Sequence, residues 1–163
     1  MNLKEGDIFE FQVNEKNTGY GQIVSKFKKN AISVIIFKGL YKSRPDIKDL
    51  IEDDILLFAN TFDAKLHHKH WIIIGNEKSN LKDIKLPYYK VGTGPVYIED
   101  FFEKQIRKAT RAEEDYLSYR SYVAPVRLET VFQAHYKLTD WNPVFDDLLY
   151  TNVVQITNLI EEL

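Results

Sequence analysis

Three closely spaced histidines come nearest in this chain to the ligand pattern of a metal site. In a strand, His68 and His70 would lie on the same face, and zinc can use such a pair. A zinc site needs at least a third protein ligand, but the chain has no cysteine and Asp63 is not at a known ligand spacing. Solvated side chains at a loop-to-strand junction explain His67, His68 and His70 better, and we predict no metal site.

Clusters of carboxylates are the second group that could do chemistry. They are Glu52-Asp53-Asp54, Glu113-Glu114-Asp115 and Asp146-Asp147. Glycosidase-type chemistry needs two carboxylates that face one cleft from different elements, and sequence neighbours do not supply that geometry. Solvated faces and helix caps account for the clusters, and the functional alternative is an acidic patch for a cationic partner.

Nucleophilic and phosphate-binding motifs are missing from the sequence. There is no cysteine, no serine stands in a Gly-x-Ser-x-Gly turn, and 92–95 is too short for a phosphate loop. His135 lies on the apolar stripe of a predicted helix, which favours a structural histidine over a base. We therefore predict that the protein is not an enzyme and needs no cofactor.

The two tryptophans have different surroundings. Trp71 stands in an apolar run, which predicts burial in the core. Trp141 lies between polar residues at the end of a predicted helix. It either caps the core or stands exposed as a binding anchor, and the general burial of tryptophan favours the cap.

The N-terminal half has the residue pattern of strands. Alternation over 6–13 and 20–27 and an apolar run over 31–37 predict a three-stranded antiparallel meander. Further short strands are predicted at 55–59 and 62–66, and a firmer one at 70–74.

The C-terminal half changes to a helical period. Phe102, Ile106 and Ala109 begin a spacing of four and three residues that predicts a helix over 99–119. Pro125 suits the first turn of a second helix, and 153–163 fits a terminal amphipathic one. The predicted fold is α+β: a β-rich part over 1–92, as a meander or partly open small barrel, flanked by helices over 95–163.

Length and composition bound the class of protein. The 163 residues predict one domain, 1–163. No cysteine and no apolar leader fit a cytoplasmic protein, and no apolar run is long enough to span a membrane. Residues 1–90 carry +3 and 91–163 carry −5, which together give −2 and leave the second half acidic.

Several phrases of the sequence resemble one protein family. "GDIFEF" at 6–11, "GYGQIV" at 19–24, "HWIIIGN" at 70–76 and "LPYYKVG" at 86–92 are similar to the immunity protein 26 family of bacterial polymorphic-toxin systems. The stretch 123–148 resembles the C-terminal extension of some members. The resemblance implies a protein that binds and silences a cognate toxin, and it transfers no catalytic residues.

The leading interpretation is therefore a non-catalytic immunity protein that occludes a toxin domain, and the acidic second half favours a basic toxin. Its expected partner-binding residues combine the acidic clusters with the exposed-anchor alternative for tryptophan: Glu113, Glu114, Asp115, Trp141, Asp146 and Asp147. The alternative is a small-barrel nucleic-acid-binding module with phosphate contacts from Lys26, Lys28, Lys29 and Lys38. A hydrolase whose cleft the sequence hides is a third interpretation.

Overall fold

The computed structural model describes residues 1–161, which fold into eight strands and five α-helices. The strands are β1 (Asp7–Gln12), β2 (Thr18–Lys26), β3 (Ala31–Phe37), β4 (Ile55–Phe62), β5 (Ile72–Asn76), β6 (Tyr89–Val91), β7 (Tyr97–Glu99) and β8 (Gln105–Lys108). The helices are α1 (Ile47–Leu50), α2 (Ala64–His67), α3 (Arg111–Tyr116), α4 (Pro125–His135) and α5 (Tyr150–Glu161). Two 3-10 turns span Leu81–Asp83 and Pro143–Leu148.

The chain forms two compact units. The first comprises Met1–Ile84 and Tyr122–Tyr150, and the second comprises Lys85–Ser121 and the residues from Thr151 onward. That 1–163 make one domain stays a prediction. None of the helices within residues 1–161 is long and apolar enough to cross a membrane.

The first unit is built on an open antiparallel sheet in the order β4-β3-β2-β1-β5. The predicted meander is confirmed, and the sheet does not close into a barrel. Every residue of β3 is buried, as expected for a central strand. On one face lies the main core, to which α4 contributes Leu128, Val131 and Phe132.

Aromatic rings of β1 lie over glycines of β2. Phe9 is paired with Gly21 and Phe11 with Gly19. A methyl group added to Gly21 would lie 2.3 Å from Phe9 Cζ, and one added to Gly19 would lie 2.5 Å from Phe11 Cζ. The two glycines are therefore needed because the rings occupy the volume that a β-carbon would take.

Trp71 closes this aromatic layer, and its predicted burial is confirmed. Its ring stacks on Phe9 with centroids 4.6 Å apart and an interplanar angle of 6°. The indole Nε1 donates to Glu129 Oε1 of α4 at 3.0 Å, and Lys65 Nζ lies 3.0 Å from Glu129 Oε2. Trp71 thus joins the sheet, the turn after α2 and helix α4.

Strand β4 corrects one prediction. We expected two short strands at 55–59 and 62–66, but one strand covers Ile55–Phe62 and a helical turn follows it. The polar pair Asn60 and Thr61 does not break the strand, because both side chains are buried with partners. Ser33 Oγ donates to Asn60 Oδ1, and Thr61 Oγ1 donates to the Val123 carbonyl at 2.7 Å.

The helix predicted over 99–119 is wrong. In the second unit, β6, β7 and β8 form a three-stranded antiparallel sheet, and only Arg111–Tyr116 is helical. Asp100 Oδ1 accepts the backbone N–H groups of Phe102 and Lys104 at 2.9 Å, and Glu103 has a φ of 67°. These bonds fix a tight β7–β8 turn, so the helical spacing of the apolar residues is coincidental.

The two longest helices, α4 and α5, agree with the sequence pattern. Helix α4 begins at Pro125 as expected, although Leu138 lies beyond its end and is exposed. The terminal helix is α5, and Leu163, assigned to its apolar stripe, lies outside the described residues.

The contact between Phe9 and Gly21 gives the first prediction. Gly21→Ala should lower the free energy of unfolding by about 2 kcal/mol, because the added methyl group overpacks the core against the Phe9 ring. In a Phe9→Leu background the shorter side chain should relieve the clash and reduce the cost of Gly21→Ala. Urea denaturation of the wild type, the two single variants and the double variant measures the coupling energy between positions 9 and 21. Strictly additive costs would show that the added methyl group does not clash with the Phe9 ring.

Candidate functional site

Trp141 lies with Asp146 and Asp147 on an exposed segment of the first unit. The Trp141 ring meets the buried Phe145 edge-on, with centroids 5.5 Å apart at 90°. The indole Nε1 donates to Asp146 Oδ1 at 2.9 Å, and 38% of the residue remains accessible. Part of the ring caps the core as expected, while the rest is presented to solvent in a fixed orientation.

The same segment exposes further apolar and acidic side chains. We call the following six the Trp141 surface: Leu138, Asp140, Trp141, Val144, Asp146 and Asp147, all of which are exposed. Asn142 shapes the segment by accepting the Val144 N–H at 3.1 Å and starting the 3-10 turn. The surface combines an anchored indole with three carboxylates, which is the composition suited to a partner with a cationic, partly apolar face.

The predicted cluster Glu113-Glu114-Asp115 lies in α3 of the second unit, and its members differ in exposure. Glu113 is buried with 1% of its surface accessible, Glu114 is half-buried and Asp115 is exposed. Only Asp115 is therefore fully available to a partner.

Glu113 is held by bonds within its own unit. Its carboxylate accepts two N–H groups of Arg107, at 2.7 and 2.6 Å, and the Thr110 backbone N–H at 2.8 Å. Thr110 Oγ1 in turn accepts the Glu113 N–H, which completes a capping box. The Arg107 hydrogen bonds, with those of Thr110, lower the pKa of Glu113 to about 2 although burial opposes the shift.

In the cluster Glu52-Asp53-Asp54, Asp53 also forms hydrogen bonds within the protein. Asp53 Oδ2 accepts the Gly39 N–H at 2.8 Å and the Tyr41 hydroxyl at 3.0 Å. Burial, together with this hydrogen bond, raises the pKa of Tyr41 to about 12. Asp53 stabilises the loop after β3 in this way.

The histidine segment does not form a strand, contrary to the premise of the zinc hypothesis. His67 ends α2, Lys69 has a φ of 58°, and β5 begins only at Ile72. His67 Nε2 lies 3.0 Å from Asp63 Oδ2, and the rings of His68 and His70 are 6.4 Å apart. Across the described part of the chain, no three His, Asp or Glu residues are grouped as ligands for a metal ion.

The four lysines of the nucleic-acid interpretation are divided between the two ends of a strand. Lys26, Lys28 and Lys29 flank the turn between β2 and β3, whereas Lys38 follows the other end of β3. Seven strand residues separate these ends by roughly 20 Å. They do not form the single basic patch on which that interpretation depended.

His135 on α4 is half-buried, and burial, with the nearby charge of Lys38, lowers its pKa. Its ring meets that of Tyr136 edge-on at 4.9 Å. This agrees with a structural role.

Two exposed apolar positions were missed by the sequence analysis. Phe102, at the β7–β8 turn, is 70% exposed, and Ile106 of β8 is 46% exposed. Their spacing in the sequence predicts the apolar stripe of a helix that does not form. Asp100 was the available signal, since aspartate at the first position of a turn bonds to the backbone ahead of it.

Comparison with known proteins identifies one family. Residues 4–97 match the family model described as immunity protein 26. The match covers β1 to β6 and the start of β7, so it includes the whole five-stranded sheet. No curated protein and no solved structure matches the chain.

The buried Glu113 gives a pH-dependent prediction. Glu113→Gln should lower the free energy of unfolding by about 2 kcal/mol at pH 7, because the charged hydrogen bonds to Arg107 are lost. The lowered pKa means that the native carboxylate stabilises the fold above its usual pKa of 4.5, and that this contribution is lost as the pH falls towards about 2.

The difference between the two proteins should therefore shrink between pH 4.5 and pH 2 in urea denaturation. Asp115→Asn, at an exposed neighbour, is the matched control and should change little. A Glu113→Gln deficit that is the same at all pH values would show that the charge is not its cause.

Proposed function

Because the chain belongs to the immunity protein 26 family, we propose that it neutralises a bacterial toxin by binding the toxin domain and occluding a surface that the toxin needs. The match over 4–97 is the observation that carries this proposal. The partner is a toxin of a polymorphic-toxin system, encoded beside this chain, and the encounter takes place in the cytoplasm. The protein itself catalyses no reaction.

The division of the carboxylates between the interior and the surface supports a protein that acts by binding. Glu113 and Asp53 are bound to neighbouring residues of the fold, where their carboxylates stabilise a helix start and a loop. By contrast, Asp140 and Asp147 lie on the surface. Charges in such positions attract and orient a partner.

The Trp141 surface is the proposed contact region in the first unit. An indole that is fixed by Phe145 and Asp146 before binding loses little side-chain entropy when a partner covers it. Tryptophan is enriched among the residues that dominate binding energy. The surrounding carboxylates favour a toxin domain with a basic face, and Asp115 of the second unit is a further proposed contact.

Replacing the anchor tests this assignment. Trp141→Ala should weaken binding to the toxin domain by about 2–3 kcal/mol, or roughly 30- to 150-fold. Because the ring also packs on the buried Phe145, circular dichroism checks that the variant keeps its fold. Isothermal titration calorimetry measures the affinity, and growth of cells that co-express the toxin measures protection. Leu159→Ala, at a residue of α5 that is 42% exposed, is the control.

Two outcomes distinguish the proposed function from the assignment of the Trp141 surface. A wild-type chain that neither binds nor protects against the toxin encoded beside it would refute the proposed function. If wild type and Trp141→Ala bind equally, only the assignment of the Trp141 surface is refuted.

The surface carboxylates should act on the rate of association. The double variant Asp140→Asn, Asp147→Asn should lower the association rate constant several-fold at low ionic strength and flatten its dependence on salt. The dissociation rate constant should change little. Stopped-flow fluorescence at 10 to 300 mM salt measures both, and an unchanged salt dependence would exclude steering by these residues.

A further inference from the structure

Strand β5 is an edge of the five-stranded sheet, protected by a register shift in its pairing with β1 between Ile73 and Gly75 but not by charge or proline. Its sequence, Ile-Ile-Ile-Gly-Asn, contains no charge and no proline. It pairs with β1 on one side, and no strand among residues 1–161 pairs with the other side. Ile72 is 50% exposed there.

Other strand edges of the protein are covered or charged. The outer edge of β4 is covered within the first unit by the Val123 N–H, which donates to the Asn60 carbonyl at 3.0 Å, and by a bridge from Leu149 to Leu57. The outer strand β8 of the second unit carries Arg107 and Lys108. Since an open apolar edge promotes aggregation, its retention at β5 indicates that a partner covers it.

An apolar groove runs beside the β5 edge. It has a volume of about 660 Å³, and six apolar side chains contribute to its lining: Met1, Leu3, Leu66, Trp71, Ile72 and Ile73. A strand added to β5 would place every second side chain on the groove side. The site therefore offers backbone hydrogen bonds for an extended segment and apolar contacts for its alternate residues, as in β-strand addition.

The charges around the groove indicate which kind of extended segment it can bind. Lys4 and Lys69 line it and are exposed, and neither ammonium group forms an ion pair with another of the 161 described residues. The one carboxylate in the lining, Asp7, is buried and accepts the Asn76 side-chain amide and the Lys4 N–H, both at 2.8 Å. The free charge at the groove is thus positive.

We propose that β5 and this groove bind an extended segment of the toxin, in which apolar residues alternate with acidic ones, as an added β-strand. This inference rests on the proposed function and names a second contact, distinct from the Trp141 surface. The lining residues from Lys4 to Asn76 lie within the match to the family model, and Met1, Asn2 and Leu3 precede it.

Pairing of β5 with a second copy of this chain is disfavoured by the same charges. Each copy would bring Lys4 and Lys69 to the shared edge, and like charges that face each other across an interface weaken it. A monomer in sedimentation velocity at 10 to 200 μM is therefore expected. A dimer that the Ile72→Lys variant abolishes would replace the toxin with a second copy as the occupant.

Short peptides test the chemistry of the groove directly. The probe is an acetylated, amidated octapeptide of alternating valine and glutamate, labelled for fluorescence anisotropy, and its matched control alternates valine and lysine. The acidic peptide should bind at least tenfold more tightly. A version with N-methylated backbone should lose this binding, because it cannot donate to β5.

Variants of the protein locate the binding. Lys69→Glu should weaken the acidic peptide at least tenfold, and Lys69→Arg should preserve its binding, with circular dichroism confirming the fold of both. Equal affinity for the two peptides, tight binding of the N-methylated peptide, or no binding of either peptide would each overturn the inference.

A second experiment uses the toxin domain encoded beside this chain. Hydrogen exchange with mass spectrometry should show that the amides of β5 gain at least tenfold protection in the complex. A complex without protection of β5 overturns this inference and leaves the proposed function intact. No complex at all overturns the proposed function.

Discussion

The packing of the Phe9 ring between Gly21 and Trp71 is the interaction on which the first unit depends. Gly21 leaves room for the ring on the neighbouring strand, and Trp71 stacks on it at 4.6 Å. The contact sets the pairing of β1 with β2, where a slip by one residue would turn the ring to the opposite face. Through Trp71 and Glu129 it also fixes α4 against the sheet. Three separate segments therefore take their positions from one aromatic layer.

This layer explains which parts of the fold the sequence predicts. The residues that carried the family resemblance, in 6–11, 19–24 and 70–76, meet in space around Phe9, so the resemblance reflects a packing requirement. Strands with strong alternation or burial could be predicted for the same reason: their side chains alone decide which face lies in the core. Family membership, shown over 4–97, follows from this half of the chain.

The predictions that failed did so where local polar bonds outweigh periodicity. Phe102 and Ile106 have helical spacing, but Asp100 binds the backbone ahead of it and turns the chain into a hairpin. Glu113 appears in the sequence as part of an acidic patch, yet its partner Arg107 and its burial appear only after folding. Such pairings depend on tertiary contacts, which composition and spacing do not encode. The edge position of β5 was inaccessible for the same reason, since strand order is a property of the whole sheet.

The buried charges of this fold are bound internally, and its proposed activity comes from exposed side chains and a strand edge. If binding and not catalysis inactivates the toxin, neutralisation requires one molecule of this protein for each molecule of toxin. A titration of toxin activity with the purified chain, at toxin concentrations far above the dissociation constant, tests this most directly. Toxin activity should fall linearly, reach its end point at one equivalent, and return when the complex is denatured and the toxin refolded alone. Complete and lasting inactivation by a small fraction of an equivalent would contradict it.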